Sequence, residues 1–293
     1  MTTGERPLLA LATCAAYPDL TPDDGDLIAA LETHGWRTSA LIWNDPAVDW
    51  SLAAGVLVRS TWDYHLHHGQ FTAWLDRLDR QGIPVLNPTA AIRANLDKRY
   101  LRDLADQGIP IVPTRFVDPG PVVPDLATVM DRLAWGEVVI KPLVSGGAHR
   151  TWRVRRAEAD AFQAELAETV QSTGAMIQAF APEILADGEW SLIFIGGEYS
   201  HAVIKRPKTG DFRVQDIHGG TITVATPAKA LQVQAATLLA HMAAPLPYAR
   251  VDGIARDGTL WLMEVELIEP NLFLRHAPGS AARLASAVTA ALS

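Results

Sequence analysis

Over residues 1–92, short apolar runs alternate with segments of helical period. "PLLALAT", "TSALIW", "AAGVLVRS" and "GIPVLN" have strand length and are rich in aliphatic side chains. Between them, "DDGDLIAALETHG" opens on aspartates suited to a helix N-cap and stops near Gly35. "GQFTAWLDRLDRQG" places Phe71, Trp74, Leu75 and Leu78 on one face and stops at Gly82. Strand–helix alternation of this kind predicts a mostly parallel, doubly wound α/β sheet. "QGIPVLNP" and "QGIPIVPT" read as the same helix exit used twice, not as a repeat array.

From about residue 96 the pattern changes. A helix in "DKRYLRDLADQG" leads to the strand "PIVPTRFV", a helix near 124–135, the strand "EVVIKP", the loop "LVSGGAHR" and the short strand "TWRV". A helix near 156–172 and the strand "AMIQAF" follow. "EWSLIFI-GG-EYSHAVIKR" is a hairpin around Gly196-Gly197. Residues 207–220 are polar without a period, two strands flank "RDGT", and a helix closes the chain. Helices beside antiparallel strands make this half α+β, with no low-complexity linker before it.

Composition narrows the function classes. A net charge of -8 argues against a binder of duplex nucleic acid, whose footprint is basic. Cys14 is the single cysteine, which excludes an intrachain disulfide and a cysteine-based zinc site. No apolar run has the length of a membrane span. The start "RPLLALATCAA" reads as a buried first strand, not a signal peptide, because Glu5 offsets Arg6. The expected setting is therefore cytoplasmic.

The most unusual stretch is "LMEVELIEP", with Glu264, Glu266 and Glu269 inside an apolar run. Buried carboxylates are costly unless paired. A three-residue turn between "YARVDGIA" and "TLWLMEVELI" puts Arg250, Asp252, Glu264 and Glu266 on one face, with Val251, Trp261, Met263 and Val265 opposite; a two-residue turn separates Asp252 from Glu264. Three converging carboxylates suit Mg²⁺ or Mn²⁺. The spacing serves equally for an exposed sheet face on which Arg250 pairs with a glutamate. In "VVIKPLVSGGAHR", Lys141 ends a strand before a Ser-Gly-Gly loop. Backbone N–H groups of such a loop and a lysine charge suit phosphate oxygens, although an ordinary glycine turn has the same signature. Neither a Walker A pattern nor G-x-G-x-x-G is present, which disfavours a Rossmann dehydrogenase.

The order Lys98, Lys141 with its glycine loop, "IQAFAPEI", "GEWSLIF", "IKRP", "RVD" and "MEVE" resembles the ATP-grasp superfamily over about residues 90–275. The resemblance implies an ATP-grasp fold, α/β and α+β, divided into a Rossmann-like pre-ATP-grasp substrate domain (1–92), a central subdomain (93–182) and a C-terminal subdomain (183–293). It implies that Lys98 and Lys141 hold the nucleotide phosphates under Ser145, Gly146 and Gly147. Main-chain groups of Gln178, Ala179, Phe180 and Ala181 would read adenine, and Glu183 or Glu189 the ribose. Asp252, Glu264 and Glu266 would be the metal ligands; the family more often has Asn at the last place. Arg250 matches an arginine that steadies the acyl phosphate, and Lys205 and Arg213 join it as catalytic cations. ATP and Mg²⁺ (or Mn²⁺) are thus the implied cofactors.

The substrate would sit on the first lobe, where "VRSTWDYHLHHG" ends a strand. Arg59 suits a carboxylate and Asp63 an ammonium, with Ser60, Thr61, Trp62 and Tyr64 around them; Trp62 and Tyr64 serve interlobe packing as well. His65, His67 and His68 lack metal-ligand spacing and read as solvated. Arg206, Arg213 and His218 lie on or beside the 207–220 segment, long enough to close over a site. "VRSTWDY", "LNP", "NLDKRYL", "SGGAHRTW" and "HAVIKRP" resemble the O-ureido-D-serine cyclo-ligases of D-cycloserine biosynthesis. That resemblance implies a small amino-acid-like substrate, neither nucleic acid nor membrane as partner, and a monomer or homodimer. An intermolecular amino-acid or peptide ligase and a non-catalytic ATP-binding regulator are the alternatives.

Overall fold

The computed structural model describes residues 6–214, 219–242 and 246–293. Strands β1 (Leu8–Thr13), β2 (Arg37–Ile42), β3 (Gly55–Ser60) and β4 (Val85–Leu86) form a parallel sheet in the order β2-β1-β3-β4. β1 and β3 are buried along their whole length, as strands covered on both faces must be. Alternation along them sorts the two cores. Ala10, Ala12, Val56 and Val58 meet Phe71, Trp74, Leu75 and Leu78 of the helix His68–Arg80. Leu9, Leu11 and Leu57 meet the helix Gly25–Thr33 and the last helix, Ser280–Ala291, through Leu27, Leu31, Leu284 and Val288. Ile193, Ile195 and Tyr248 join that second core, so the first lobe shares its interior with the strands that follow.

Strands β5 (Thr114–Val117), β6 (Glu137–Pro142), β7 (Trp152–Arg155) and β8 (Ala175–Ala179) form an antiparallel sheet ordered β5-β8-β6-β7. Strands β9 (Glu189–Ile195), β10 (Glu198–Arg206), β11 (Thr221–Val224), β12 (Tyr248–Arg256) and β13 (Thr259–Glu266) form another, ordered β11-β10-β9-β12-β13. The strands lie where the apolar runs put them. Strand β11 and the helix Lys229–Leu239 were not expected, and the helix near 156 begins only at Gln163, after a 3₁₀ segment. Lys98 sits in the break between the helices Thr89–Asn95 and Tyr100–Asp106, not at the opening of one helix. No helix among the described residues is long and apolar enough to cross a membrane.

The β12–β13 hairpin decides where the carboxylates point. Its turn has two residues, Asp257 and Gly258, both with positive φ (51° and 76°), and Arg256 faces Thr259. The expected three-residue turn is therefore absent. A bulge repairs the register: Gly253 faces Leu262, but Asp252 faces Glu264 and Arg250 faces Glu266, leaving Met263 unpaired. Asp252 and Glu264 thus share a face after all. The apolar set is corrected by the shorter turn, which pairs Trp261 with Ile254. Leu260, Leu262 and Val265 pack with Val251, whereas Trp261 and Met263 pack with Ala181, Ile184, Val214 and Ile254 on the carboxylate side. The bulge requires Gly253, because a Cβ there would lie 2.6 Å from the Trp261 carbonyl oxygen. Gly253→Ala is expected to lose about 1–3 kcal/mol of stability and most activity; a melting curve like the wild type's would show that the bulge accepts a side chain.

The outer edge of β13 is covered. Ile111 bridges to Leu262, and the Asn95 side chain accepts from Leu267 N–H and donates to the Val265 carbonyl. Tyr100 Oη accepts from Val265 N–H at 2.8 Å. Asn87, fully buried in the first lobe, donates to the carbonyls of Tyr248 and Leu267. These side chains hold the carboxylate strand from behind.

Candidate active site

Cross-strand pairing lays a row of charged groups along one face of the third sheet. Lys205 of β10 faces Glu189 of β9, and Ser191 of β9 faces Asp252 of β12. Lys205 Nζ lies 2.9 Å from Glu189 and 3.2 Å from Asp252. Ser191 Oγ donates to Asp252 at 2.6 Å. Arg250 grips Asp252 with Nε and Nη2 (3.0 and 2.9 Å), reaches Glu266 with Nη2, and donates to the Asn271 carbonyl with Nη1. Burial opposes the charge on Asp252, but Arg250 and Lys205 hold its carboxyl below the ordinary range. Glu266 is pushed up, by burial first and then by Asp252 and Glu264. Glu269 is pushed up as well, by burial and by Glu266.

Across from this row stands the break that carries Lys98. Its ammonium lies 2.7 Å from Glu264 and donates to the Ser145 carbonyl at 2.8 Å. The buried carboxylates therefore find cations within the chain: Lys98, Lys205 and Arg250 already face them. Lys141 differs. Among the described residues it has no ion pair within 4 Å; burial lowers its pKa against the opposing charge of Glu264, and Lys98 adds to the lowering. Beyond Lys141 the loop is strained: Gly147 and Ala148 have φ of 57° and 58°, and Arg150 of 50°. Successive N–H groups in such turns form anion-binding concavities.

Main-chain donors at the end of β8 are partly used, since Ala179 N–H donates to the Pro113 carbonyl and Phe180 N–H to that of Glu137. Gln178 is buried and its amide donates to Thr114 Oγ1. Arg153 lies 3.8 Å over the Phe180 ring. Ala181 borders the apolar patch of Trp261 and Met263. Of the two acidic candidates there, Glu183 is held by Arg256 at 2.6 Å, and Glu189 belongs to the charged row.

Several expected site residues lie elsewhere. Arg213 is not brought to the row; it pairs with Asp211 at 2.7 Å and lines a cleft of about 390 Å³ with Arg153, Arg155 and Glu158. Arg59 is turned away from solvent: it is 3% exposed and its Nε donates to buried Asp24 at 2.7 Å, while its Nη1 is buried without a hydrogen-bond partner among the described residues. The side chain at a strand end turned inward because a buried aspartate waited there. Tyr64 packs in the first-lobe core against Phe71, and Ser60 is buried. Trp62 remains half-buried and donates its indole N–H to the Glu269 carbonyl, while Asp63 accepts from Trp43 Nε1. His67 and His68 are exposed as expected, but His65 is half-buried against the glycine loop. His218 lies outside the described residues. Ser191 and Asn271 were missed; period two along "EWSLIF" puts Ser191 on the face of Glu189, which was the available signal.

Three hard-oxygen donors on neighbouring strand positions have the chemistry Mg²⁺ takes. Among the described residues no three such side chains converge at metal-ligand spacing, because Glu264 leans to Lys98 and Glu266 to Arg250. The donor set fits a metal that competes with these cations.

Residues 9–87 match the family model described as D-cycloserine synthetase DcsG, N-terminal domain, and residues 123–248 match that of the prokaryotic glutathione synthetase ATP-grasp domain. The chain is 32% identical to the cycloserine biosynthesis protein DcsG of Streptomyces lavendulae, over 96% of this chain and 97% of that one. It is 27% identical to the glutathione synthetase of Bordetella pertussis over 64% of this chain and 57% of the other. The crystal structure of D-cycloserine synthetase DcsG superposes with a TM-score of 0.87 at 30% identity, covering 98% and 100% of the two chains. A D-alanine–D-alanine ligase from Bacillus anthracis complexed with ATP shares the fold, with a TM-score of 0.69 at 16% identity.

Proposed function

Because the chain belongs to the ATP-grasp carbon–nitrogen ligases of the D-cycloserine synthetase family, we propose that it closes O-ureido-D-serine into the isoxazolidinone ring at the expense of ATP. The substrate carboxylate attacks the γ-phosphorus and ADP leaves. The oxygen-bound ureido nitrogen then attacks the acyl carbon and loses its proton, and inorganic phosphate departs with one former carboxylate oxygen; the carbamoyl group left on that nitrogen is hydrolysed by water and leaves as carbon dioxide and ammonia. Lys98 and Lys141 hold phosphates, with Ser145, Gly146 and Gly147 closing over them. Adenine lies between Phe180–Ala181 and Met263, and Glu189 is the better placed ribose acceptor. Asp252, Glu264 and Glu266 would hold Mg²⁺, which when bound neutralises phosphate charge. Arg250 and Lys205 keep positive charge beside the reacting groups and orient Asp252. Trp62, Asp63 and Glu269 border the amino-acid side. The ranges 1–92, 93–182 and 183–293 are proposed as the substrate, central and metal-carrying units.

The observation that carries this reading is Lys141: a lysine at a buried strand end, beside a strained glycine loop, with no carboxylate within 4 Å among the described residues, although Glu264 and Glu189 act on it from farther off. A bound phosphate would supply the close counter-charge it lacks. Lys141→Ala is expected to weaken binding of a non-hydrolysable ATP analogue about ten- to a hundredfold; unchanged affinity by calorimetry would remove Lys141 from the nucleotide site. The first lobe favours ring closure over peptide ligation, because residues 9–87 match the D-cycloserine synthetase model while the glutathione synthetase match covers the nucleotide part alone. ADP release with O-ureido-D-serine as sole substrate tests it. Release only when a second amine is added supports intermolecular ligation, and ATP binding without turnover supports a regulator.

A further inference from the structure

His65 lies between the two halves of the site. It follows the first-lobe loop of Trp62 and Asp63, yet its ring rests on the glycine-rich loop of the central unit. An added Cβ at Gly146 would lie 3.1 Å from His65 Nδ1 and 3.5 Å from Cε1, with no atom of any other residue among its nearest contacts. The His149 ring is 5.3 Å away, and the Tyr64 ring, anchored in the first-lobe core, stands 5.9 Å off. Gly147 takes a left-handed φ, but Gly146 is not among the glycines with positive φ. Backbone geometry therefore does not demand glycine at 146; what an added methyl group would meet is the imidazole, which it would have to displace. His65 Nδ1 is buried and has no hydrogen-bond partner among the described residues. Meanwhile Lys98 tethers the residue before, through the Ser145 carbonyl.

We propose that His65 is a positioning residue: its ring is the surface on which Gly146 closes, so that the substrate-side loop of the first lobe sets the position of the loop that covers the phosphates. This rests on the assignment of residues 145–147 to ATP. It makes nucleotide and amino-acid binding mutually dependent through one contact between lobes. The ring stays neutral at physiological pH, its pKa lowered to about 4 by burial and then by His149 and Lys98, so it adds packing and no charge beside the phosphates.

A double-mutant cycle tests this. Affinity for the β,γ-imido analogue of ATP would be measured by calorimetry, with and without O-ureido-D-serine, in the wild type, Gly146→Ala, His65→Ala and the double variant. Gly146→Ala is expected to weaken nucleotide binding about tenfold in the wild-type background and less than about twofold in the His65→Ala background. His65→Ala alone is expected to abolish the change in nucleotide affinity caused by the amino acid, an effect a merely structural contact would not produce. Equal penalties for Gly146→Ala in both backgrounds, or none in either, would overturn the proposal. Lys141→Ala is the control: if it weakens binding while the cycle is additive, only the role of His65 fails. If it too is without effect, the nucleotide assignment fails with it.

Discussion

Glu264→Gln is expected to lower ADP release at saturating ATP by about 10²–10³-fold. Glutamine keeps the shape and loses the charge that a metal and Lys98 share. The same change strips buried Lys98 of its ion partner at 2.7 Å, leaving it the Ser145 carbonyl. A lower melting temperature should therefore accompany the lost turnover, since an uncompensated buried charge is destabilising. The carboxylate is partly open to solvent, which moderates that loss. Added Mg²⁺ should raise the melting temperature of the wild type with ATP analogue and leave the variant unmoved. Wild-type turnover in Glu264→Gln would reduce the acidic face to a scaffold.

Arg59→Leu should act on stability instead. Asp24, 1% exposed, accepts from Arg59 Nε and from Thr21. Removing the guanidinium leaves a buried carboxylate with no opposite charge, and breaking such a pair costs about 3–5 kcal/mol. Asp24→Leu combined with Arg59→Leu should recover part of that loss, because no unpaired charge remains. Denaturant unfolding of the two variants reads both effects. A near-wild-type midpoint in Arg59→Leu, with a raised KM for the amino acid alone, would return Arg59 to the substrate-gripping role that the ion pair argues against.

Arg59 also shows where reading the chain ran out. Its position at a strand end was legible, but its partner lies 35 residues earlier in a short 3₁₀ turn, and nothing local links the two. Strand positions were legible because period two and Gly196-Gly197 are local signals. The shared face of Asp252 and Glu264 was anticipated for the wrong reason. The turn is one residue shorter than expected, and a bulge at Met263, invisible as a pattern, restores the register. The shorter turn also put Trp261 and Met263 on the carboxylate side. Lys98, Lys205 and Arg250 were recognisable as cations of the site, yet their carboxylate partners depend on cross-strand pairing. The helix Lys229–Leu239 was missed because its alanines and glutamines blur the apolar stripe. His65 looked solvated because the loop it touches, at Gly146, lies far downstream in the chain.

Transfer of a carboxylate oxygen to phosphate is the step on which the whole account turns. The direct measurement is a turnover of O-ureido-D-serine labelled with ¹⁸O in both carboxylate positions, with unlabelled ATP and water. Mass analysis of the products follows the label. Activation as an acyl phosphate predicts one ¹⁸O in each inorganic phosphate released, with ADP as the nucleotide product. Unlabelled phosphate, or label found in AMP, would contradict it.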